Sequence, residues 1–258
     1  MPRRQPEEWI AVVQERSDAI VLRGVDYSET SRIITLLTPG RGKLTCIAKG
    51  ARRSKGGLGP TLDNINRIEA VYLWKDGRDI QTLTDATLLD AFAPLKRDFD
   101  KSSYAAFPLE LADRIAHDNE PSERLYAELS GGLESLAAWS GAAATFAVWL
   151  AWRLLSVAGF TPTFDTCVHC GERLGGGKNG FSFEGGAVCG NCPADRRPDA
   201  MTFAQLRALA TAPACPDLPP APVQLAFVRD YASRQMDCAF RSTRVIEELF
   251  GETARQTR

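Results

Sequence analysis

The spacing of apolar positions changes once along the chain. Up to about Leu83 it is that of short strands; from Phe99 it is that of helices. Ala19–Leu22 is a compact apolar run. Arg32–Thr38 is rich in β-branched residues, which suit a pleated surface. Lys43–Lys49 alternates polar and apolar, so one face packs and the other is wet. Arg67–Trp74 and Ile80–Leu83 complete a set of five predicted strands, with Ile68, Ala70 or Val71, and Leu73 as core candidates in the fourth. Pro39-Gly40-Arg41-Gly42 reads as a turn, and Lys75-Asp76-Gly77-Arg78 as a hairpin turn built on Asp-Gly. Five short strands with a long basic connection after the third predict a small, closed or partly closed barrel of the OB type.

Beyond Ala91–Asp98, a transition containing Pro94, the period lengthens. Tyr104, Phe107, Leu111 and Ile115 predict a helix over Phe99–Asp118. Leu125, Leu129, Leu133 and Leu136 form one stripe of the next, weakened in the middle by Gly131-Gly132. Ala143–Ala158 is apolar around much of its circumference and predicts a buried helix, ended by Gly159 and Pro162. Helical patterns return at Thr202–Ala212, Val223–Phe240 and Thr243–Phe250. The fold class read from this is multi-domain α+β. Residues 1–18 form a polar lead-in, 19–90 an OB-fold nucleic-acid-binding domain, and 91–258 an all-helical domain interrupted at 163–197.

That interruption holds the sharpest motif. Cys167-Val168-His169-Cys170 and Cys189-Gly190-Asn191-Cys192 are two CxxC turns at a spacing that suits a tetrahedral ion held by four thiolates. Phe181–Phe183 and Ala187-Val188, around Glu184-Gly185-Gly186, predict a short hairpin delivering the second pair. One structural zinc is the expected ion, because it is redox-silent and accepts four sulfurs. Four protein ligands close the site, so no open catalytic position is expected; His169 reads as a surface or neighbouring residue. The other cysteines, Cys46, Cys215 and Cys238, are an odd and scattered set, which fits a reducing compartment better than a disulfide framework.

Composition adds little until it is localised. The 258 residues are 44% hydrophobic, enough for real cores, and the net charge is −1. Yet residues 30–62 hold Arg32, Arg41, Lys43, Lys49, Arg52, Arg53 and Lys55 with no Asp or Glu among them. This is a local electrostatic footprint, and these seven residues are the candidate nucleic-acid contacts. Lys49–Gly57 leaves a strand as a glycine-rich loop, so its cations can reach phosphates while the backbone comes close to a strand. Tyr27, Tyr72 and Trp74 are candidate stacking residues, at least one of them belonging to the core instead. A second basic set, Arg229, Arg234, Arg241 and Arg244, reads equally as a solvent face or as a site for an acidic partner or the DNA backbone, with Arg234 and Arg241 on one face of an unbroken helix. No P-loop or nucleophile elbow is present, and the two histidines stand alone, so no enzyme is expected. Met1–Glu8 has no apolar run and no stretch is long enough to span a bilayer, so a cytoplasmic protein without membrane contact is expected.

Several stretches, in order, resemble the RecO family of bacterial recombination mediators, in its zinc-bearing form. They are Ala19-Ile20-Val21-Leu22-Arg23 with Asp26–Arg32, Gly42-Lys43, Ala48–Lys55, and Leu154–Pro162 preceding the cysteine module. The resemblance covers about Ala19 to Phe250. It implies an OB-fold, a helical domain and a zinc module, and a protein that is not an enzyme. It implies binding to single- and double-stranded DNA and annealing of complementary strands. It further implies partnership with RecR and with the single-stranded DNA-binding protein, RecA loading downstream, and a place at the nucleoid. No local motif marks the partner-binding residues. The alternative reading is a general RNA- or DNA-binding OB-fold with a zinc ribbon and no annealing activity.

Overall fold

A computed structural model describes residues 12–53, 57–175, 178–219 and 222–250. The chain divides into two compact units. One runs through Ala91 and regains Ala116–Tyr126; the other comprises Phe92–Ile115 and the chain from Ala127. Among the described residues, no helix is long and apolar enough to cross a membrane.

The first unit is a closed barrel of β1 (Val13–Asp26), β2 (Arg32–Thr38), β3 (Gly42–Ala48), β4 (Arg67–Trp74) and β5 (Gln81–Asp90), in the order β1-β2-β3-β5-β4. β3 and β5 are parallel and the other pairs antiparallel, the topology of an OB-fold. The long first strand closes the barrel by serving two neighbours. Val13–Ile20 pairs with β4 and Ile20–Asp26 with β2, with a register shift between Val21 and Arg23 that bends it. The interior is filled by alternate residues, among them Ala19, Val21, Ile34, Leu36, Leu44, Cys46, Ile68, Ala70, Tyr72 and Leu83.

Three boundaries differ from the sequence reading. β1 begins at Val13, inside the expected lead-in, because its first half is a polar strand held by the ladder to β4 and by ion pairs such as Arg16 Nη1–Glu69 Oε1 at 2.8 Å. β5 continues past Leu83 to Asp90, pairing with β4 from Leu73 back to Arg67 although its far half is mostly exposed. The third is Ala116–Tyr126, expected within the helical domain. It lies on the β2–β3 turn instead: His117 O accepts from Lys43 N, Asn119 N donates to Lys43 O, and Ser122 N donates to Pro39 O. Gly42, at φ +57, faces the Glu120 backbone so closely that a Cβ has no room.

The second unit is helical: α1 (Ala93–Arg97), α2 (Phe99–Ile115), most of α3 (Glu123–Ala138), α4 (Ala143–Val157), α5 (Ala200–Thr211), α6 (Pro222–Met236) and α7 (Arg241–Phe250). α4 is buried on nearly every side and packs on α2, α5 and α6. Its Trp152 meets Tyr231 at 5.2 Å, and Trp149 Nε1 donates to Ala212 O at 3.1 Å. The helix expected over Val223–Phe240 stops at Met236, where Asp237 turns left-handed at φ 47. α7 then starts afresh, its first turn capped by a distant acid: the Glu110 carboxylate accepts from Arg241 N, Ser242 N and Ser242 Oγ. Arg234 and Arg241 therefore do not share one helix face.

Candidate metal centre and nucleic-acid interface

Between α4 and α5 the hairpin β6 (Gly180–Ser182) and β7 (Gly186–Val188) carries the second cysteine pair toward the first. Gly186, at φ +128, passes against Thr163, whose carbonyl accepts from Ala187 N at 2.7 Å. Gly171 closes the first CxxC turn, its N–H donating to Cys167 O at 2.9 Å. The Sγ atoms of Cys167, Cys170, Cys189 and Cys192 then lie within 4.8 Å of one another, and Cys170 Sγ is 3.8 Å from Cys189 Sγ. Four sulfurs at ~2.3 Å from one tetrahedral ion stand ~3.8 Å apart, so the donor set fits a four-thiolate metal. His169 is exposed and not among these donors.

The electrostatics agree with that fit. Desolvation raises the Cys167 thiol, but the backbone N–H groups of Cys189, Cys170 and His169 outweigh it and bring the group down to about 6. Cys192 is pushed up to about 12 by its hydrogen bonds with the Cys189 and Cys170 sulfurs. One thiolate is welcome in this nest and further ones are resisted, a conflict that a dication removes. Val168, Leu174, Val188 and Ala194 pack around the sulfurs. The module is anchored within its unit by Phe181, whose ring lies 5.8 Å from both Phe227 and Tyr231 of α6. Gln235 Nε2 adds a bond to Phe183 O at 2.8 Å.

The basic run does not form one patch. β2 and β3 pair from Arg32↔Ala48 at one end to Thr38↔Gly42 at the other, six steps or ~20 Å away. Arg32, Lys49, Arg52 and Arg53 gather at the first end; Arg41 and Lys43 sit at the second. Lys55 lies outside the described residues. The acids missing from the run are supplied by β1. Glu15 takes Arg41 at two points, and Asp26 lies 3.4 Å from Arg32 Nε and 3.5 Å from Arg52 Nε. Lys49, Arg52 and Arg53 are exposed. Of the three aromatic candidates, Tyr72 and Trp74 are buried, and Tyr27 is 65% exposed in the β1–β2 turn beside this cluster. The second basic set is largely paired with acids: Arg229 with Asp230 and Glu247, Arg234 with Glu184, and Arg244 with Glu248.

Residues 12–92 match the family Recombination protein O N terminal, and residues 96–214 match Recombination protein O C terminal. A DNA repair protein RecO of Anaeromyxobacter dehalogenans is 36% identical over 175 residues, 67% of this chain and 68% of that protein. The chain belongs to the RecO family of DNA repair proteins. RecO of Streptomyces griseus is 33% identical over 214 residues, 78% of this chain and 86% of its own, and RecO of a Nocardioides strain is 34% identical over 200 residues, 75% and 81%. The first RecO match takes in all five barrel strands; the second takes in the four cysteines and ends before α6. What sequence reasoning missed in this RecO chain are the two acids, Glu15 and Asp26. Glu15 lies in no motif, and the stretch that begins at Asp26 does not mark it as a partner of arginines; only the pairing of β1 shows which cations they meet.

Proposed function

We propose that the chain is a non-catalytic recombination mediator. It binds single- and double-stranded DNA through the barrel, anneals complementary strands, and with RecR helps load RecA onto DNA coated with single-stranded DNA-binding protein. The observation that carries the reading is the cluster of exposed Lys49, Arg52 and Arg53 beside exposed Tyr27 at one end of an OB-fold barrel in a member of a DNA repair family. Cations of this kind neutralise phosphates and release counterions without reading bases, which suits a protein that must hold any sequence. An exposed aromatic beside them offers a base a flat surface. Two strands with their charge screened can then approach and pair.

In this reading residues 19–90 are the DNA-binding domain, 91–258 the helical domain that meets protein partners, and 163–197 the inserted module. Cys167, Cys170, Cys189 and Cys192 hold one structural zinc, which ties the hairpin to the first CxxC turn and takes no part in chemistry. The protein works in the cytoplasm, at the nucleoid.

The test is annealing of complementary oligonucleotides coated with single-stranded DNA-binding protein, followed by fluorescence. Acceleration over the protein-free rate is expected. DNA binding without acceleration would place the chain with general nucleic-acid modules instead.

A further inference from the structure

We propose that Asp26 stands in for a DNA phosphate: it bridges Arg32 and Arg52 in the free protein, and a phosphodiester of a bound strand displaces it. The proposal rests on the barrel being the DNA interface and adds where one phosphate sits and what it competes with. Two ion-paired sites draw on the same basic run, and they differ. Arg41 is closed on Glu15 at 2.5 and 3.1 Å. Asp26 reaches its two arginines only at 3.4 and 3.5 Å, beyond the 2.7–2.9 Å of a charge-assisted hydrogen bond. Its own side chain is 56% exposed, so solvent screens it.

The arginines do not depend on Asp26 for their positions. Arg52 is tied to the turn by its N–H to Thr30 O at 3.1 Å and by Nη1 to Ser28 O at 3.3 Å. Arg32 lies across Gly24, where a Cβ would stand 2.8 Å from Nη2. Its Nε is buried and makes no hydrogen bond. A buried guanidinium N–H without an acceptor is a donor awaiting one. The Asp26 carboxylate, 3.4 Å away, pairs with its charge but is not placed to accept its hydrogen. A phosphodiester, with its two non-bridging oxygens set farther apart than those of a carboxylate and free of the Asp26 backbone, can reach both guanidinium groups, and exposed Tyr27 lies next in the chain to the displaced acid. Glu29 is the other acid of this turn and pairs with no cation among the described residues. The consequence is a weakened grip: every strand that binds must first displace an internal anion, which favours release and re-pairing over tight holding.

The experiment measures binding of a fluorescent oligothymidine to the full chain and to Asp26→Asn, Arg52→Ala and the double variant across salt concentrations. Asp26→Asn should bind 3- to 10-fold tighter, with log K falling more steeply in log salt by up to ~0.7, the increment of one added phosphate contact on a single strand. Its thermal midpoint should match the parent's. On the Arg52→Ala background the gain should shrink to under twofold. Unchanged or weaker binding by Asp26→Asn, or an equal gain in both backgrounds, would overturn the exchange. A Lys49→Ala/Arg53→Ala variant separates the two ideas. If it binds as the parent does, or the parent fails to bind, the interface itself is wrong and the exchange falls with it. If it weakens while Asp26→Asn gains nothing, only the exchange is wrong.

Discussion

Glu15 holds Arg41 at two points, Oε1 to Nη2 at 2.5 Å and Oε2 to Nε at 3.1 Å, while the guanidinium lies 4.0 Å over the Trp74 ring. The Tyr72 hydroxyl donates to the same carboxylate at 3.0 Å. A cation held by a bidentate acid and an aromatic face is already satisfied, so this arrangement clasps β1, β4 and the β2–β3 turn.

Removing the acid should therefore cost stability. Glu15→Gln should lower the unfolding free energy by about 1.5–3 kcal/mol, the range for hydrogen bonds to charged groups, read from urea midpoints at neutral pH. The hydrogen bond from Arg41 holds the Glu15 carboxyl below the usual carboxylate range, against desolvation that raises it. A group depressed in the folded state contributes fully above its unfolded value, near 4.5, and loses that contribution as pH falls through the lower folded value. The parent should lose more stability than Glu15→Gln between pH 5 and pH 3. Parallel losses would show that the pair is not the acid-sensitive clasp.

The clasp also marks what the sequence could and could not show. β2 and β4 were legible to the residue because their β-branched and alternating positions are local signals. The cysteine module was legible because two CxxC turns encode their own geometry. The first half of β1 was not: Gln14-Glu15-Arg16-Ser17-Asp18 has no apolar face and becomes a strand only through its partner β4. The split of the basic run was equally hidden. Contiguity in sequence became ~20 Å of separation because a turn at Pro39–Gly42 sends Arg41 to the far end of the barrel. Ala116–Tyr126 looked like a helix end because nothing local reports its bonds to the β2–β3 turn.

The adjacent glycines of α3 should respond in opposite directions. A Cβ on Gly131 meets nothing within 4 Å, so Gly131→Ala gains helix propensity and should stabilise by about 0.5–1 kcal/mol. A Cβ on Gly132 would stand 2.7 Å from Leu150 Cδ2, in a side chain that is fully buried. Gly132→Ala should destabilise by about 1–3 kcal/mol, as overpacking does. Thermal denaturation of the two variants side by side decides it; stabilisation by both would mean α3 and α4 do not approach as closely as described.

The cysteine quartet should carry one zinc per chain, measured by elemental analysis of purified protein. Cys170→Ser should lose it and lower the thermal midpoint, because a bound metal would tie the hairpin to the first CxxC turn well beyond the Val168 N to Ala187 O bond that already joins them. A strong chelator should move the parent toward the variant and leave the variant unchanged. DNA affinity at temperatures where the variant stays folded should hold within about twofold of the parent. Loss of DNA binding with stability intact would make the module itself a DNA surface.

The charge arrangement makes the most direct prediction. Lys49, Arg52 and Arg53 are exposed at one end of β2 and β3, whereas Arg41 at the other end is consumed by Glu15 and Trp74. Each phosphate neutralised on a single strand contributes about 0.7 to the slope of log K against log salt. Replacing all three exposed residues by Ala should flatten that slope by about 1.4–2, the lower figure holding where Asp26 already offsets Arg52, and weaken binding by an order of magnitude or more near physiological salt. Arg41→Ala should leave the slope within about 0.3 of the parent's while lowering stability, because its charge never reaches the strand. If the two substitutions exchanged effects, with Arg41 setting the slope and the loop cations not, the strand would track the far end of the barrel, and the positions of Tyr27 and Asp26 would have no bearing on DNA.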